Sequence, residues 1–308
     1  MRIKDNQNQN PSEVAKALRQ HMAETSISQV RVAKAIGMSN SIVSQYLSGT
    51  YAGDIDAVEN KVKQWLDLEI QRSERPFLAS TEVIPTHAVT EITQALRIAA
   101  RDRDMVVITG PAGAGKTTTL QAYARQNSSS ILIEADHGYT AMALFAELCD
   151  CLSLPTKGTL HELLRRVVEK LRDSDRLIIV DEAEHLPYRA LELLRRVHDK
   201  SRVPLALVGM PRLRKNLQGD HNHYAQLWSR VGFVRSVDLL SPKDEAMFVE
   251  ARIGKVTDDV LDAIRKGCRH NARVLVKLLR WCAELCRLNE SELSLEIVAK
   301  ASELVTVA

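Results

Sequence analysis

The sequence predicts a three-layer α/β core with a parallel sheet, preceded by a small all-α unit and followed by an all-helical segment. Three observations predict it. An apolar strand at 105–109 runs into Gly-Pro-Ala-Gly-Ala-Gly-Lys-Thr and then into a helical pattern. A second apolar run, Leu177 to Val180, ends in Asp181 and Glu182. Strand and helix patterns alternate between residues 88 and 240, whereas the flanking regions carry helical periodicity alone. The expected organisation is an N-terminal helical domain at 1–72, a linker at 73–86, the α/β core at 87–240 and a helical C-terminal segment at 241–308.

The first strand and its loop carry the chemistry. Gly110, Gly115, Lys116 and Thr117 fill the pattern G-x-x-x-x-G-K-T. Backbone N–H groups of Gly110, Pro111 to Ala114, Gly115 and Thr118 (Pro111 excepted, having no N–H) can curl round phosphate oxygens only where a Cβ does not intervene, hence Gly113 and its neighbours. Ala112 and Ala114 keep the remaining positions small. Lys116 supplies charge to the β- and γ-phosphates of ATP, and Thr117 Oγ a ligand for Mg²⁺. The following helix turns its positive end to the anion. In the second strand Asp181 belongs to the Mg²⁺ shell, and Glu182 is placed to accept the proton of an attacking water. That assignment makes the expected reaction ATP hydrolysis rather than nucleotide binding alone.

Composition is that of a soluble globular chain: 308 residues, 45% hydrophobic and 26% charged, with a net charge of +3. No apolar run approaches about 18 residues, and Met1 to Asn10 is polar. A cytoplasmic protein without a membrane partner is expected. Cys149, Cys151, Cys268, Cys282 and Cys286 form an odd set without C-x-x-C spacing and read as reduced core residues. Cys268 with His270 is the one pair suggestive of a metal.

Charge is unevenly distributed. Residues 187–235 carry Arg189, Arg195, Arg196, Lys200, Arg202, Arg212, Arg214, Lys215, Arg230 and Arg235 against Glu192, Asp199 and Asp220. The pattern suits a surface for the phosphate backbone of double-stranded DNA, without aromatic residues interleaved for base stacking; a solvated helix face is the other reading. Near the N-terminus, Ser28 and Ser39 are placed to cap two short helices separated by a turn at Gly37. Val32, Ala33, Ile36, Val43 and Leu47 fall inward, which leaves Asn40, Ser41, Ser44 and Gln45 outward. Over about 25 residues this resembles the helix-turn-helix of phage repressors, whose second helix enters the major groove. Residues 1–75 hold ten basic and nine acidic side chains, so a protein-contacting bundle is the competing reading. A further amphipathic helix, 56–70, carries Val58, Val62, Trp65, Leu66 and Ile70 along one stripe.

The phosphate loop, the acidic strand end and the helical C-terminus together resemble AAA+ ATPases over roughly residues 86–308, which implies an AAA+ P-loop core with a C-terminal α-helical lid. The resemblance places an arginine finger at Arg230, within Leu227-Trp228-Ser229-Arg230-Val231, acting on the next subunit; a surface ion pair is the alternative. It places a second sensor at Arg273, reaching the γ-phosphate from the lid. It also expects a polar, water-orienting residue at the end of the fourth strand, where this chain has Met210.

The combination with an N-terminal helix-turn-helix resembles the B proteins of Mu-type transposing phages, carried further by Asp181-Glu182-Ala183-Glu184-His185-Leu186 and by residues 50–54, Thr-Tyr-Ala-Gly-Asp. That resemblance implies a protein that forms an ATP-dependent homo-oligomer, a helical filament or ring on DNA with little sequence preference. It implies that the protein is nucleoid-associated when bound, selects target DNA for transposition, and activates a DDE-type transposase. An ATP-gated transcription regulator, and a helicase-loader or secretion-type ATPase, remain the other readings.

Overall fold

Strands of five apolar residues are stable only inside a layered core, and that is where the central ones lie. The computed structural model describes residues 12–25, 27–73, 83–219 and 225–305, and divides into two compact units, 1–81 and 82–308. Met1 to Asn10, residues 74–82 of the expected linker, and Asp220 lie outside the described residues, as does the side chain of Ile70.

In the second unit, helix α5 (His87–Asp102) leads into β1 (Met105–Thr109), α6 (Lys116–Gln126) and β2 (Ser130–Glu134). Two helices, α7 (Ala141–Cys151) and α8 (Leu160–Leu171), then precede β3 (Leu177–Asp181). After a 3-10 turn at Ala183–His185 come α9 (Tyr188–Ser201), β4 (Leu205–Gly209), α10 (Arg212–Gln218), the short α11 (Ala225–Trp228) and β5 (Val231–Ser236). All neighbouring strands are parallel, in the order β2-β3-β4-β1-β5.

Residues of β1, β3 and β4 are buried throughout, as both-face coverage requires. Alternation assigns them to two layers. Met105, Val107, Ile178, Val180 and Leu207 pack with Phe145, Leu163, Val167 and Leu194 from α7, α8 and α9. Val106, Ile108, Ile179 and Val208 pack with Ile92, Leu96 and Leu120 from α5 and α6.

The fifth strand ends at Ser236. Val237 N–H still donates to Thr109 O (2.8 Å), but Leu240 N–H donates to His270 O (2.8 Å). The chain therefore leaves the sheet for the C-terminal helices α12 (Pro242–Ile253), α13 (Asp258–Cys268), α14 (Ala272–Leu288) and α15 (Leu295–Leu304). Cys149, Cys268 and Cys282 are buried as expected, but Cys151 is exposed. Among the described residues no group of three or more His, Cys, Asp or Glu side chains could hold a metal ion, at Cys268 and His270 included. The Cys268 thiol instead faces Glu245 Oε1 at 3.3 Å, and burial, reinforced by that carboxylate, pushes it up to about 12.

The first unit contains α1 (Glu13–Thr25), α2 (Gln29–Ala35), α3 (Asn40–Ser48) and α4 (Ile55–Ser73). Ser28 and Ser39 accept from the N–H groups of Arg31 and Ile42, and Gly37 takes φ 66° in the turn between α2 and α3. Val32, Ala33, Val43, Tyr46, Leu47, Val58 and Val62 share one core. Asn40, Ser41, Ser44 and Gln45 are exposed.

Asp244 joins the two ends of the second unit. It forms a capping box with Ser241 at the start of α12, while its Oδ1 accepts from His87 N–H (2.8 Å) at the start of α5. Burial pushes its pKa up, but the hydrogen bonds from the Ser241 hydroxyl and from the N–H groups of His87 and Ser241 outweigh this and hold the carboxyl below its usual value. A depressed native pKa stabilises the fold above the unfolded carboxylate value, about pH 4, and the contribution is lost as pH falls through the native value. Asp244→Ala is expected to cost about 1–2 kcal/mol at neutral pH, read from urea melts, and the gap to wild type should close as the solution is acidified through that range.

Candidate active site

Because β1 and β3 both pair with β4, the ends of β1 and β3 open at the same edge of the sheet, one strand apart. The glycine-rich loop starts there, anchored by Gly110 N–H on Gly209 O (3.1 Å). Gly115, at φ 87°, turns the chain into α6. Thr117 Oγ1 donates to Asp181 Oδ2 at 2.6 Å, joining residues 64 positions apart. A hydroxyl beside a buried carboxylate is an oxygen donor set that suits a small hard cation such as Mg²⁺.

Lys116 folds over the loop. Its Nζ donates to the carbonyls of Gly110 (2.7 Å) and Pro111 (2.9 Å) and lies 4.0 Å from Met210 Sδ. Burial lowers its pKa, against the pull of Asp181, Glu184 and Glu182, and Arg273 adds to the lowering. That last influence places Arg273 within electrostatic reach of the lysine. Its helix is also tied to the loop: Asn271 Nδ2 donates to Ala112 O (3.0 Å), and Ala272 N–H to Gly113 O (3.0 Å). Asn271 Oδ1 meanwhile caps α14 through the N–H groups of Arg273 and Val274.

Glu182 follows Asp181 in a left-handed conformation, φ 51° and ψ 34°, uncommon for a residue with a side chain and concentrated at functional sites. Its N–H donates to Asp181 Oδ1 (2.9 Å), and its half-exposed carboxylate lies 3.6 Å from His185 Nε2. His185 meets His137 edge-on, with ring centroids 3.8 Å apart and ring planes at 61°. Sequence reasoning singled out neither histidine; a histidine three residues after the acidic pair was the one signal available.

The chain so arranged matches an AAA-domain family over residues 99–217. It is 30% identical over 242 residues to the Mu-like prophage FluMu DNA transposition protein B of Haemophilus influenzae, covering 76% of this chain and 83% of that protein. The chain belongs to the Mu-type transposition protein B family. Another relative, the ATP-dependent target DNA activator B of Escherichia phage Mu, is 26% identical over 79% of this chain and 78% of that one. Among solved structures, the ORC2 protein of Aeropyrum pernix superposes with a TM-score of 0.57 at 18% identity, covering 76% of this chain and 72% of its own, a likeness of fold.

The remaining residues singled out in this Mu B-type sequence are dispersed. Arg230 stands just before β5, and a strand's start and end lie on opposite edges of a sheet, about 17 Å apart for six residues. It therefore sits on the far edge from its own glycine-rich loop, with Nε donating to Asp199 Oδ1 (2.9 Å). Arg195 is committed to Glu192 (2.6 Å) and Asp199, with 12% of its side chain exposed. Arg212 turns toward Glu184 and His185, and Arg214 lies over the Trp228 ring at 5.8 Å. Arg189, Arg196, Lys200, Arg202 and Lys215 are exposed. The basic run is thus split between internal pairs and an open face, because Glu192 and Asp199 lie within one or two helical turns of Arg195.

Gly113 provides a check on the tie between loop and helix. Its φ is 84°, and an added Cβ would collide with the Asn271 amide. Gly113→Ala should therefore lower stability by about 1–3 kcal/mol, seen as a lower denaturation midpoint. An unchanged midpoint would mean that the loop and α14 are not held together.

Proposed function

We propose that this protein is an Mg²⁺-dependent ATPase that assembles on DNA and prepares it as a target for transposition. The observation that carries the reading is the 2.6 Å contact of Thr117, the residue after Lys116, with Asp181, the residue before Glu182. In this reading Lys116 pairs with the β- and γ-phosphates, and the N–H groups of residues 112–118 surround them. Thr117 and Asp181 would hold Mg²⁺, which would supply positive charge against the phosphates. Glu182 accepts the proton of the attacking water. Residues 241–308 act as a lid, with Arg273 as the contact that distinguishes nucleotide states; the bonds from Asn271 and Ala272 to the loop support such coupling.

Arg230 supports assembly. A guanidinium at the far edge cannot serve its own loop but can reach that of a neighbouring subunit, exchanging Asp199 for phosphate. Hydrolysis then depends on a homo-oligomer, a filament or ring. Many weak contacts through Arg189, Arg196, Lys200, Arg202 and Lys215 would add along duplex DNA with little regard to sequence. Residues 1–72 form a helix-turn-helix domain joined by the linker at 73–86 to the core at 87–240, and Asn40, Ser41, Ser44 and Gln45 are its candidate DNA contacts. The relatives' names support a role in transposition, and the partner that receives the DNA is a DDE-type transposase.

The test is ATP turnover and co-sedimentation with non-specific duplex at two salt concentrations. Wild type should coat DNA only with ATP, and less at the higher salt. Lys116→Ala should lose both nucleotide binding and coating. Glu182→Gln should lower turnover by about 10²-fold or more while coating persists. Arg230→Ala should lower turnover by about 10³-fold without loss of nucleotide binding. Nucleotide-independent binding confined to one operator sequence would replace this reading with that of a transcription regulator.

A further inference from the structure

The end of β4 lacks a polar side chain toward the nucleotide loop: Met210 places a thioether beside Lys116, and a thioether donates no hydrogen bond. Two residues on, Arg212 opens α10, and its guanidinium is divided between two residues of the turn after β3. Nη2 lies 3.2 Å from His185 Nε2, and Nε 3.6 Å from Glu184 Oε1. Asn216, one turn further along α10, donates to Glu184 O (3.2 Å). Glu184 is a firm anchor. Its side chain is 2% exposed, and its Oε2, which has no hydrogen-bond partner among the described residues, packs against Gly209 where any Cβ would overlap it.

An arginine only donates, so His185 Nε2 must be the acceptor in this contact and carry no proton. The same nitrogen is 3.6 Å from Glu182 Oε2. One ring nitrogen offers either a lone pair or a hydrogen, never both. While Arg212 occupies the lone pair, His185 has nothing to donate to Glu182, and the carboxylate keeps its lone pairs for a water. The imidazole has little freedom to evade the choice, being 10% exposed and held edge-on against His137.

We propose that Arg212 is a positioning residue for hydrolysis: by holding His185 Nε2 unprotonated, it prevents His185 from capturing Glu182. The inference rests on the ATPase reading above, and it takes Arg212 out of the DNA-facing surface. Without Arg212 the tautomer with hydrogen on Nε2 becomes available, and a small rotation would bring it into a hydrogen bond with Glu182.

Steady-state turnover, binding of a fluorescent ATP analogue, thermal melts and DNA co-sedimentation of wild type, Arg212→Ala, His185→Ala and the double variant decide the matter. Arg212→Ala should lower kcat by about tenfold, a part of what a general base contributes. Its analogue affinity and its DNA coating should stay within about twofold of wild type, the margin of independent sites. The double variant should turn over at the rate of His185→Ala, because without the imidazole Arg212 has nothing to restrain. Multiplicative losses in the double variant, or loss of analogue binding in Arg212→Ala, would overturn the proposal in favour of a structural role. Unchanged kcat with weakened, salt-sensitive DNA coating would overturn it in favour of a phosphate contact. A wild type that binds the analogue but never hydrolyses ATP would sink the ATPase reading itself, whereas turnover indifferent to Arg212 sinks this inference alone.

Discussion

The hydrogen bond from Thr117 to Asp181 depends on strand order. Had β1 and β3 lain at opposite ends of the sheet, a hydroxyl at the start of α6 and a carboxylate at the end of β3 could not meet. Placing β4 between them sets the separation at two strand spacings, about 10 Å of backbone, which the glycine-rich loop and one turn of helix span. Parallel direction does the rest, since every strand then ends at the same edge. The buried apolar runs of β1, β3 and β4 give this geometry its rigidity, because both faces are filled and a register slip would expose them.

Charge is then concentrated where water is scarce. Asp181 and Glu184 are buried, Glu182 is held in an uncommon backbone conformation, and Lys116 is drawn over the loop carbonyls. Each of these costs free energy in isolation, and together they compensate one another: the carboxylates oppose the effect of burial on the lysine, and the Thr117 hydroxyl and the Glu182 N–H satisfy Asp181. Such a site is polarised before anything binds, and a phosphate group or a cation would meet groups already oriented.

The C-terminal helices are not a separate attachment to this arrangement. Asn271 caps α14 with one face of its amide and holds the loop carbonyl of Ala112 with the other, and Asp244 bonds back to the first helix of the unit. A shift of α14 must therefore be felt at the loop backbone.

The glycine-rich loop, the acidic strand end, the alternation of strands and helices, and the capping residues Ser28 and Ser39 were legible because each is a local signal. Glycine at positive φ, apolar period and a side chain that caps its own helix act within a few residues, so composition and spacing carry them. The partners of the long basic run were not legible. Whether Arg195 meets Glu192, Arg212 meets His185 or Arg230 meets Asp199 depends on helix faces and strand order, and those pairs decide which charges remain for solvent. The end of β5 at Ser236 and the proximity of His137 to His185 are of the same kind. By itself the sequence determined the alternating α/β core with its parallel sheet and marked the residues of a candidate nucleotide site, since both signals arise from short-range geometry. Only the tertiary structure decided which charged groups are free and which are held, because that depends on contacts between residues distant in the chain.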